Sequence, residues 1–462
     1  MKNIFILLLV FSIVAKSKEN YDLNTAIAKA LENNHNVKIA EYNLETAQKD
    51  VKEAYGYAYP RVDLNANYNR SIIKQKIVFA GGGTSSFFPQ PLVAAIAQAV
   101  GANPEDLLGS SNASEYSAIT AGSNNNFRAQ VELVQPLFDY TVFTGIGSSA
   151  IYKKVVEESL NSEQSRTVKN TKVAFFSAIL AKESIELVQS SLDNAQKRYD
   201  EISIMFNEGL ISEYEQLRAS VQVSNLKTEL ANVETNYINA KNNLKLVIGI
   251  ENNEDIEIQD SFEKYLKNDK LPNLDESYAE LLTTNNDLKS LEYQVEVQDA
   301  FIDLGKADYM PRLSLFANYV YQGQSDDFDF FTVDQSDVGI RLSMNLFNGF
   351  QTNTKVEKAQ INKQIAITQK LLLTQSLRNN IENVILRMET ANKQIESTQA
   401  NMKQAQRAYE ISKIRFNEGV GSQLEMNDAD LALRQASINY LNASYNFLSA
   451  QSEYENLIGK IN

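Results

Sequence analysis

The stretch Ala195-Gln-Lys-Arg-Tyr-Asp-Glu-Ile-Ser-Ile-Met-Phe-Asn-Glu-Gly209 occurs twice in this chain. Its second copy, at a constant offset of 210, is Ala405-Gln-Arg-Ala-Tyr-Glu-Ile-Ser-Lys-Ile-Arg-Phe-Asn-Glu-Gly419. Each glycine interrupts a helical pattern and is followed closely by a serine, Ser212 or Ser422. A glycine accepts the left-handed conformation that ends a helix, and a serine caps the next helix. Each copy therefore predicts a helical hairpin.

The repetition extends upstream of these turns. Leu31–Tyr42 matches Leu282–Tyr293, and Pro60–Tyr68 matches Pro311–Tyr319, both at an offset of 251. Because the offset later falls by 41, the first half carries that many extra residues, which fall between positions 68 and 131. The sequence therefore predicts two halves of one plan and a long first loop between two strands.

The segments after the two prolines alternate with a period of two. Apolar side chains at Val62, Leu64, Ala66 and Tyr68 alternate with polar ones at Arg61, Asp63, Asn65 and Asn67. This pattern gives a strand one apolar and one polar face, as in a membrane barrel with a wet lumen or in a half-buried soluble sheet. Four strands do not close a barrel of useful bore, so a barrel requires several copies of the chain. The pattern recurs at Leu313, Leu315, Ala317, Tyr319 and Tyr321, and at Val338, Ile340, Leu342, Met344 and Leu346.

The remaining segments predict long helices. No proline occurs from Phe138 to Gly209 or from Phe347 to Gly419, and about 70 residues at the helical rise span about 105 Å. Shorter helices at 24–54 and 212–248 together match that length. Apolar residues in steps of three and four, from 223 to 247 and from 433 to 457, predict a coiled-coil seam, which an ordinary coiled coil without a channel also explains.

Composition excludes several classes of protein. The 462 residues include no Cys, one His at position 35 and a net charge of −14, so we expect no enzyme, no metal site, no cofactor and no nucleic-acid partner. The charged, apolar and small residues of positions 1–17 predict an export signal. The mature chain therefore leaves the cytoplasm.

In this order the motifs resemble the TolC-like outer membrane efflux protein family. The most specific are the duplicated Tyr-(x)6-Phe-Asn-Glu-Gly turns, the Leu23-Asn-Thr-Ala-Ile-Ala-Lys-Ala-Leu31-Glu-Asn-Asn opening and the Pro-Arg strand entries at Pro60 and Pro311. The resemblance implies a homotrimer in outer membrane lipid, a periplasmic adaptor (membrane fusion protein) as partner and an inner membrane transporter as energy source. The 41 extra residues and the lack of Trp depart from the family pattern.

The expected fold is a mixed β-barrel plus α-barrel: an internally duplicated protomer with four strands and long coiled-coil helices, whose trimer forms a twelve-stranded outer membrane barrel and a periplasmic helical tunnel. We expect a signal peptide at 1–17, a first structural repeat at 18–250 with an extracellular loop at 69–126, an equatorial linker at 251–272 and a second repeat at 273–462. The expected function is passive export of small molecules in a tripartite efflux pump. Two alternatives stay open: the outer membrane component of a type I protein secretion system, and a periplasmic coiled-coil adaptor or scaffold.

Two sets of site residues follow from the hairpin turns. The first set, at the exposed tips, is expected to dock the adaptor. The second set consists of carboxylates just past the turns, which the family resemblance places at the periplasmic constriction; acids at a helix start also occur simply because they favour the helix dipole. The docking residues are Gly209, Leu210, Gly419 and Val420, and the constriction residues are Glu215, Glu425 and Asp428.

Overall fold

The computed structural model describes residues 19–79, 90–103, 117–266 and 270–460. The expected signal peptide and the three glycines at 81–83 lie outside these residues. No helix in the described ranges is both long enough and apolar enough to cross a membrane. The strands are β1 (Glu19–Tyr21), β2 (Arg61–Arg70), β3 (Gln75–Phe79), β4 (Ser117–Ala121), β5 (Asn125–Phe138), β6 (Ile256–Ile258), β7 (Arg312–Ser325) and β8 (Phe331–Ser343). The α-helices are α1 (Leu23–Asn33), α2 (His35–Gly56), α3 (Gln90–Val100), α4 (Tyr140–Asn207), α5 (Glu213–Ile248), α6 (Leu274–Thr284), α7 (Asn286–Lys306), α8 (Gln351–Asn417) and α9 (Gln423–Leu457).

The chain divides into two compact units. One consists of residues 52–146 and 303–356 and holds the large sheet. The other consists of residues 1–51, 147–302 and 357–462 and holds most of the helical residues.

The sheet unit contains the four predicted strands as an antiparallel sheet in the order β2-β5-β7-β8. Paired residues share a face, and Leu64 pairs with Val131, which pairs with Tyr319. This face is open, with Leu64 70% exposed and Val338 76% exposed, and on β8 it is apolar from Val338 to Leu342 but continues into Ser336 and Asp334. The strand β8 ends at Ser343, so the predicted face members at 344 and 346 lie beyond it.

The first long loop contains secondary structure of its own. β2 continues to Arg70 and β5 begins at Asn125, so the insertion comprises residues 71–124. Its described part contains the antiparallel ribbon β3–β4 and the helix α3. The expected loop at 69–126 is therefore slightly too wide, and its described part contains regular secondary structure.

In the helical unit, the two long helices were predicted closely: α4 has 68 residues and α8 has 67. The single helix predicted at 24–54 was wrong, because α1 ends at Asn33 and α2 begins at His35. Asn34 adopts ψ 129°, its side-chain oxygen accepts the backbone N–H of Asn36, and its side-chain nitrogen donates to the carbonyl of Val247. An asparagine that satisfies its neighbours in this way stabilises a break rather than a continuous helix.

The second half of the chain has the same break. Asn285 separates α6 from α7 and donates its side-chain N–H to the carbonyl of Leu457 at 2.9 Å. Each break packs against the glycine that ends a helix: a β-carbon on Gly249 would lie 2.4 Å from the carbonyl oxygen of Asn33, and one on Gly459 would lie 2.6 Å from that of Thr284. Both glycines have positive φ angles.

The main core of the helical unit lies around these breaks. The short parallel pair β1–β6 and the 3-10 turn at Phe262–Lys264 cover the middle of α4, where Phe175 and Ile179 are fully buried. The predicted seam residues Val223, Leu226 and Leu244 of α5 are buried as well. The expected linker at 251–272 therefore contributes directly to the core.

Candidate functional site: the helical hairpin turns

The first turn joins α4 to α5. Gly209 has φ +74°, its N–H donates to the carbonyl of Phe206, and the N–H of Leu210 donates to the carbonyl of Met205. These two bonds close the helix end, and the left-handed angle requires glycine. Ser212 occupies the capping position with extended backbone, but its side chain makes no capping hydrogen bond. Leu210 is 68% exposed.

The second turn joins α8 to α9 and is tied more tightly. Gly419 has φ +73°, and the side-chain oxygen of Ser422 accepts the N–H of Glu425 at 3.2 Å, as a helix cap does. The carbonyl of Arg415 accepts the N–H groups of both Val420 and Gly421. Val420 is as exposed as its counterpart in the first turn. Both expected docking tips thus present an exposed aliphatic side chain.

Arg415 distinguishes the second turn. Its guanidinium donates to the carbonyl of Val420 at 3.3 Å and lies 3.8 Å from the carboxylate of Glu425. Both members of this ion pair are more than half exposed, so the pair stabilises by less than about 1 kcal/mol. Its counterpart in the first copy, Met205, has no charge, so this link exists once per chain.

The three expected constriction carboxylates lie in different surroundings. Glu215 is half-buried, and one of its carboxylate oxygens has no hydrogen-bond partner among the described residues. Glu425 and Asp428 are exposed. Asp428 lines a groove of about 420 Å³ between α5 and α9, together with Arg218 and Glu229. Glu425 thus lies beside Arg415, and Asp428 lies in the groove. Within the described ranges, Glu215 makes no hydrogen bond to either of these two acids.

A cluster of buried charges connects the helices further along the hairpins. Arg434 of α9 lies 2.5 Å from Glu229 of α5 and 3.6 Å from Asp430. Arg198 of α4 donates to the hydroxyl of Tyr409 in α8 at 3.4 Å. We call these five residues the interhelical charge cluster.

Burial controls the electrostatics of this cluster. Asp430 is only 2% exposed, and one of its carboxylate oxygens has no hydrogen-bond partner among the described residues. Loss of hydration raises the pKa of Asp430 above its usual value, although the positive charges of Arg198 and Arg434 oppose this rise. The carboxylate therefore depends on its two arginines to stay ionised.

Sequence reasoning missed this cluster. A signal was present, because Asp430 and Arg434 are spaced four residues apart on one helix face, which suits an ion pair. At the offset of 210, their counterparts in the first hairpin are the uncharged Ser220 and Ser224. The counterpart of Arg198 is Ala408. Comparison of the two hairpins therefore shows that Asp430, Arg434 and Arg198 are charged in one copy only.

The profile of the family described as "Outer membrane efflux protein" matches residues 106–250 and 277–460, most of the chain. The chain belongs to the outer membrane efflux protein family. It is 22% identical to the outer membrane protein TolC of Escherichia coli, over 74% of this chain and 71% of that protein. It is 21% identical to the alkaline protease secretion protein AprF of Pseudomonas aeruginosa, over 71% of this chain and 68% of that protein.

Solved structures of outer membrane proteins share the fold. The Campylobacter jejuni CmeC outer membrane channel superimposes with a TM-score of 0.73 at 19% identity, over 95% of this chain and 85% of that one. The Vibrio cholerae outer membrane protein VceC superimposes with a TM-score of 0.68 at 15% identity, over 95% and 96% of the two chains.

The resemblance inferred from the turns and strand entries is thereby confirmed. The chain is an efflux duct of the outer membrane, with its tunnel in the periplasm, and not an enzyme. The alternative of a coiled-coil adaptor is wrong, because the family consists of outer membrane proteins and the chain contains the paired amphipathic strands that an adaptor would lack.

Proposed function

We propose that three copies of this chain close a twelve-stranded barrel in the outer membrane and export small molecules passively through it. The observation that carries this proposal is the open apolar face, which runs across all four strands of the sheet. Such a face suits lipid, and the opposite face, with Asn65, Gln130 and Gln322, suits a wet lumen. The end strands β2 and β8 are then joined between neighbouring protomers.

Two substitutions on neighbouring positions of β2 test the barrel. Leu64→Arg places a charge on the proposed lipid face and is expected to cost about 2–4 kcal/mol near the membrane midplane. Asn65→Arg places the same charge in the proposed lumen and is expected to leave assembly intact. Native mass measurements in mild detergent report the trimer. Equal tolerance of both variants, or a stable monomer of the unmodified chain, refutes the proposal.

The domain organisation follows from the same arrangement. In this proposal, two repeats at 18–250 and 273–462 each contribute two strands and one helical hairpin, and the linker at 251–272 crosses outside the tunnel. Residues 71–124 are extracellular, because they connect two strands at the end opposite the helices. Protease cleavage within this insertion in intact cells is expected to leave the trimer assembled, and loss of the trimer would refute the assignment.

The hairpin turns are the proposed docking surface for a periplasmic adaptor, which links the duct to an inner membrane transporter. Two tips per chain give six per trimer, each with an exposed aliphatic residue, Leu210 or Val420, beside its glycine. Leu210→Asp and Val420→Asp are expected to abolish crosslinking to the adaptor without loss of the trimer. Tyr214→Asp, one helical turn away and also exposed, is the matched control.

Glu215, Glu425 and Asp428 form the proposed periplasmic constriction. Threefold symmetry turns each carboxylate into a ring of like charges, which attracts cations and repels its own copies. The Arg415–Glu425 pair supports this placement, because a nearby cation lowers the repulsion within the ring of Glu425. A closed entrance is stable only where helix packing and such pairs outweigh the remaining repulsion.

Single-channel recordings test the constriction. Glu425→Gln with Asp428→Asn is expected to reduce the preference for cations and to abolish block by multivalent cations from the periplasmic side. Glu213→Gln, which removes another acid from a first helical turn, is the control and is expected to change neither property. Unchanged selectivity and block in the double variant would show that these acids serve only the helix dipole.

The export of polypeptides is the second candidate, because one relative is named for alkaline protease secretion. The names of other relatives refer to solvent and toluene efflux pumps, and the identity of these matches is 24% over a shorter part of the chain. A strain that lacks this chain distinguishes the two functions. Increased dye accumulation with normal polypeptide secretion supports small-molecule efflux, and the opposite result refutes it.

A further inference from the structure

The helix α3 in the extracellular insertion carries no charge. Its sequence, Gln-Pro-Leu-Val-Ala-Ala-Ile-Ala-Gln-Ala-Val, lies inside a stretch from Ile77 to Pro104 without a single Asp, Glu, Lys or Arg. Val93 and Ala97 are buried, so one side of the helix is already packed. A neighbouring stripe is also apolar: Leu92, Ile96 and Val100 are exposed and follow one another at intervals of four residues.

A helix that exposes one apolar stripe beside a buried one suits a protein interior or a membrane surface. With 11 residues, α3 is about 16 Å long, about half of the hydrocarbon thickness. It therefore suits an orientation along the membrane surface, with one face among the acyl chains.

The residues just after β2 extend the apolar surface. Tyr68 lies on the apolar face of β2, and Ile72 and Ile73 follow after Arg70. Ile72 is 97% exposed and Ile73 is 85% exposed, so they have almost no protein around them. Lys74 and Lys76 follow immediately, and basic residues next to apolar ones are typical of a membrane interface.

The base of the insertion is held in place by Asp326, in the turn after β7. Its carboxylate accepts the side-chain N–H of Lys74 and the backbone N–H of Asn124, each at 2.8 Å. Lys74 belongs to the beginning of the insertion and Asn124 to its end. Both ends are thus tied to the other strand pair at the end of the sheet.

We propose that α3 lies in the outer leaflet of the outer membrane, with Leu92, Ile96 and Val100 among the acyl chains of the lipid. This inference rests on the proposed barrel, which places the insertion at the outer leaflet. The lumen offers no comparable surface, because the inward positions of the sheet are polar, as at Asn67 and Asn126.

The absence of cysteine makes site-specific labels straightforward. Ile96→Cys reports the exposed face of α3, and Gln98→Cys reports the opposite side of the same helix. Leu64→Cys and Asn65→Cys report the proposed lipid face and lumen face of β2. Each full-length variant is labelled with an environment-sensitive fluorophore and reconstituted in phosphatidylcholine and phosphatidylglycerol vesicles. The acyl chains carry bromine near the carbonyl end in one preparation, which reaches a surface helix, and near the chain centre in another, which reaches deep strand positions.

Brominated lipid is expected to reduce the emission of the label at Ile96 as much as that at Leu64. The labels at Gln98 and Asn65 are expected to lose little emission to the lipid and more to aqueous iodide. Strong iodide quenching at Ile96 would place α3 in water and overturn the inference. Protection of Ile96 from both quenchers would show a protein contact, with a second copy or the lumen, and would equally overturn it.

The label at Leu64 separates this inference from the proposed function. If lipid quenches Leu64 but not Ile96, the barrel stands and the membrane contact of α3 is refuted. If lipid fails to quench Leu64, the barrel proposal itself fails. Retention of the trimer by each labelled variant, checked by mobility without heating, shows that the labels report the assembled protein.

Discussion

Arg434→Met tests the interhelical charge cluster. Methionine retains the apolar stem of the side chain, so packing changes little, but the positive charge between Asp430 and Glu229 is lost. Glu229 is 40% exposed on its side chain and is able to regain hydration. Asp430 is buried and keeps only Arg198 as a positive neighbour. Most of the stability lost in Arg434→Met therefore comes from the buried charge of Asp430, which has lost one of its two positive neighbours.

The free energy that Arg434→Met costs at Asp430 has an upper bound, because Asp430 is able to take up a proton instead of remaining buried and charged. From the usual pKa of 3.8, protonation at pH 7 costs about 4 kcal/mol, and at pH 5 it costs about 1.6 kcal/mol. Breaking a buried pair by removing one partner costs about 3–5 kcal/mol, which agrees with the bound at pH 7. We expect a loss of about 3–4 kcal/mol in local stability at pH 7.

The sign of the pH dependence follows from the raised pKa. Folded Asp430 binds a proton more readily than unfolded Asp430, so its contribution to stability falls as the pH rises above the unfolded pKa of 3.8. Loss of Arg434 raises the folded pKa further and extends this fall to higher pH. The difference between the variant and the unmodified protein is therefore expected to shrink from pH 7 to pH 5.

Hydrogen exchange of α9 in the detergent-solubilised trimer measures this local stability. After correction for the intrinsic exchange rate, peptides around Asp430 are expected to exchange up to about a thousandfold faster at pH 7 and about tenfold faster at pH 5. Arg407→Met is the matched control, because its pair with Glu410 is exposed to water and contributes little to stability. An effect of Arg434→Met no larger than that of the control, or equal at both pH values, would refute the reasoning.

The remaining predictions concern the two breaks between helices. Gly249→Ala is expected to lower thermal stability strongly, because its β-carbon would lie 2.4 Å from the carbonyl oxygen of Asn33, whereas Gly209→Ala meets no atom within 4 Å and costs only the left-handed strain of about 1–2 kcal/mol. Equal losses in thermal unfolding would contradict this distinction. Asn285→Ala is expected to cost about 1–3 kcal/mol, because the carbonyl of Leu457 loses its buried donor, and a loss below about 0.5 kcal/mol in the same assay would argue against it.

Much of the fold was predictable because its signals are local and repeated. The alternation at Val62–Tyr68 and the uninterrupted helical stretch after Phe138 identify strand and helix directly. The hairpin turns were predictable for the same reason, since only glycine adopts the left-handed angle there without strain. The break at Asn34 was missed, because helical periodicity continues on both sides and only the bond to Val247, distant in sequence, reveals it.

The candidate site was predictable to a smaller extent. The exposure of Leu210 and Val420 follows from their position at a turn, which the sequence shows. The pairing of Arg415 with Glu425 depends on how the turn folds back, and the burial of Asp430 depends on the packing of neighbouring helices. These contacts are part of the tertiary structure, and the sequence pattern of a single helix does not predict them.

The two copies differ at several charged positions. Arg198, Asp430 and Arg434 stand opposite Ala408, Ser220 and Ser224, and Arg415 stands opposite Met205. A buried charge is costly unless it is paired, and Arg198 and Arg434 both offset the burial of Asp430. The buried charges therefore connect the second hairpin to the first, through the Arg434–Glu229 pair and the contact of Arg198 with Tyr409, and Arg415 adds an exposed pair at the second turn. A change in ionic strength is thus expected to act first on the exposed Arg415–Glu425 pair, whose counterpart in the first turn lacks the positive charge.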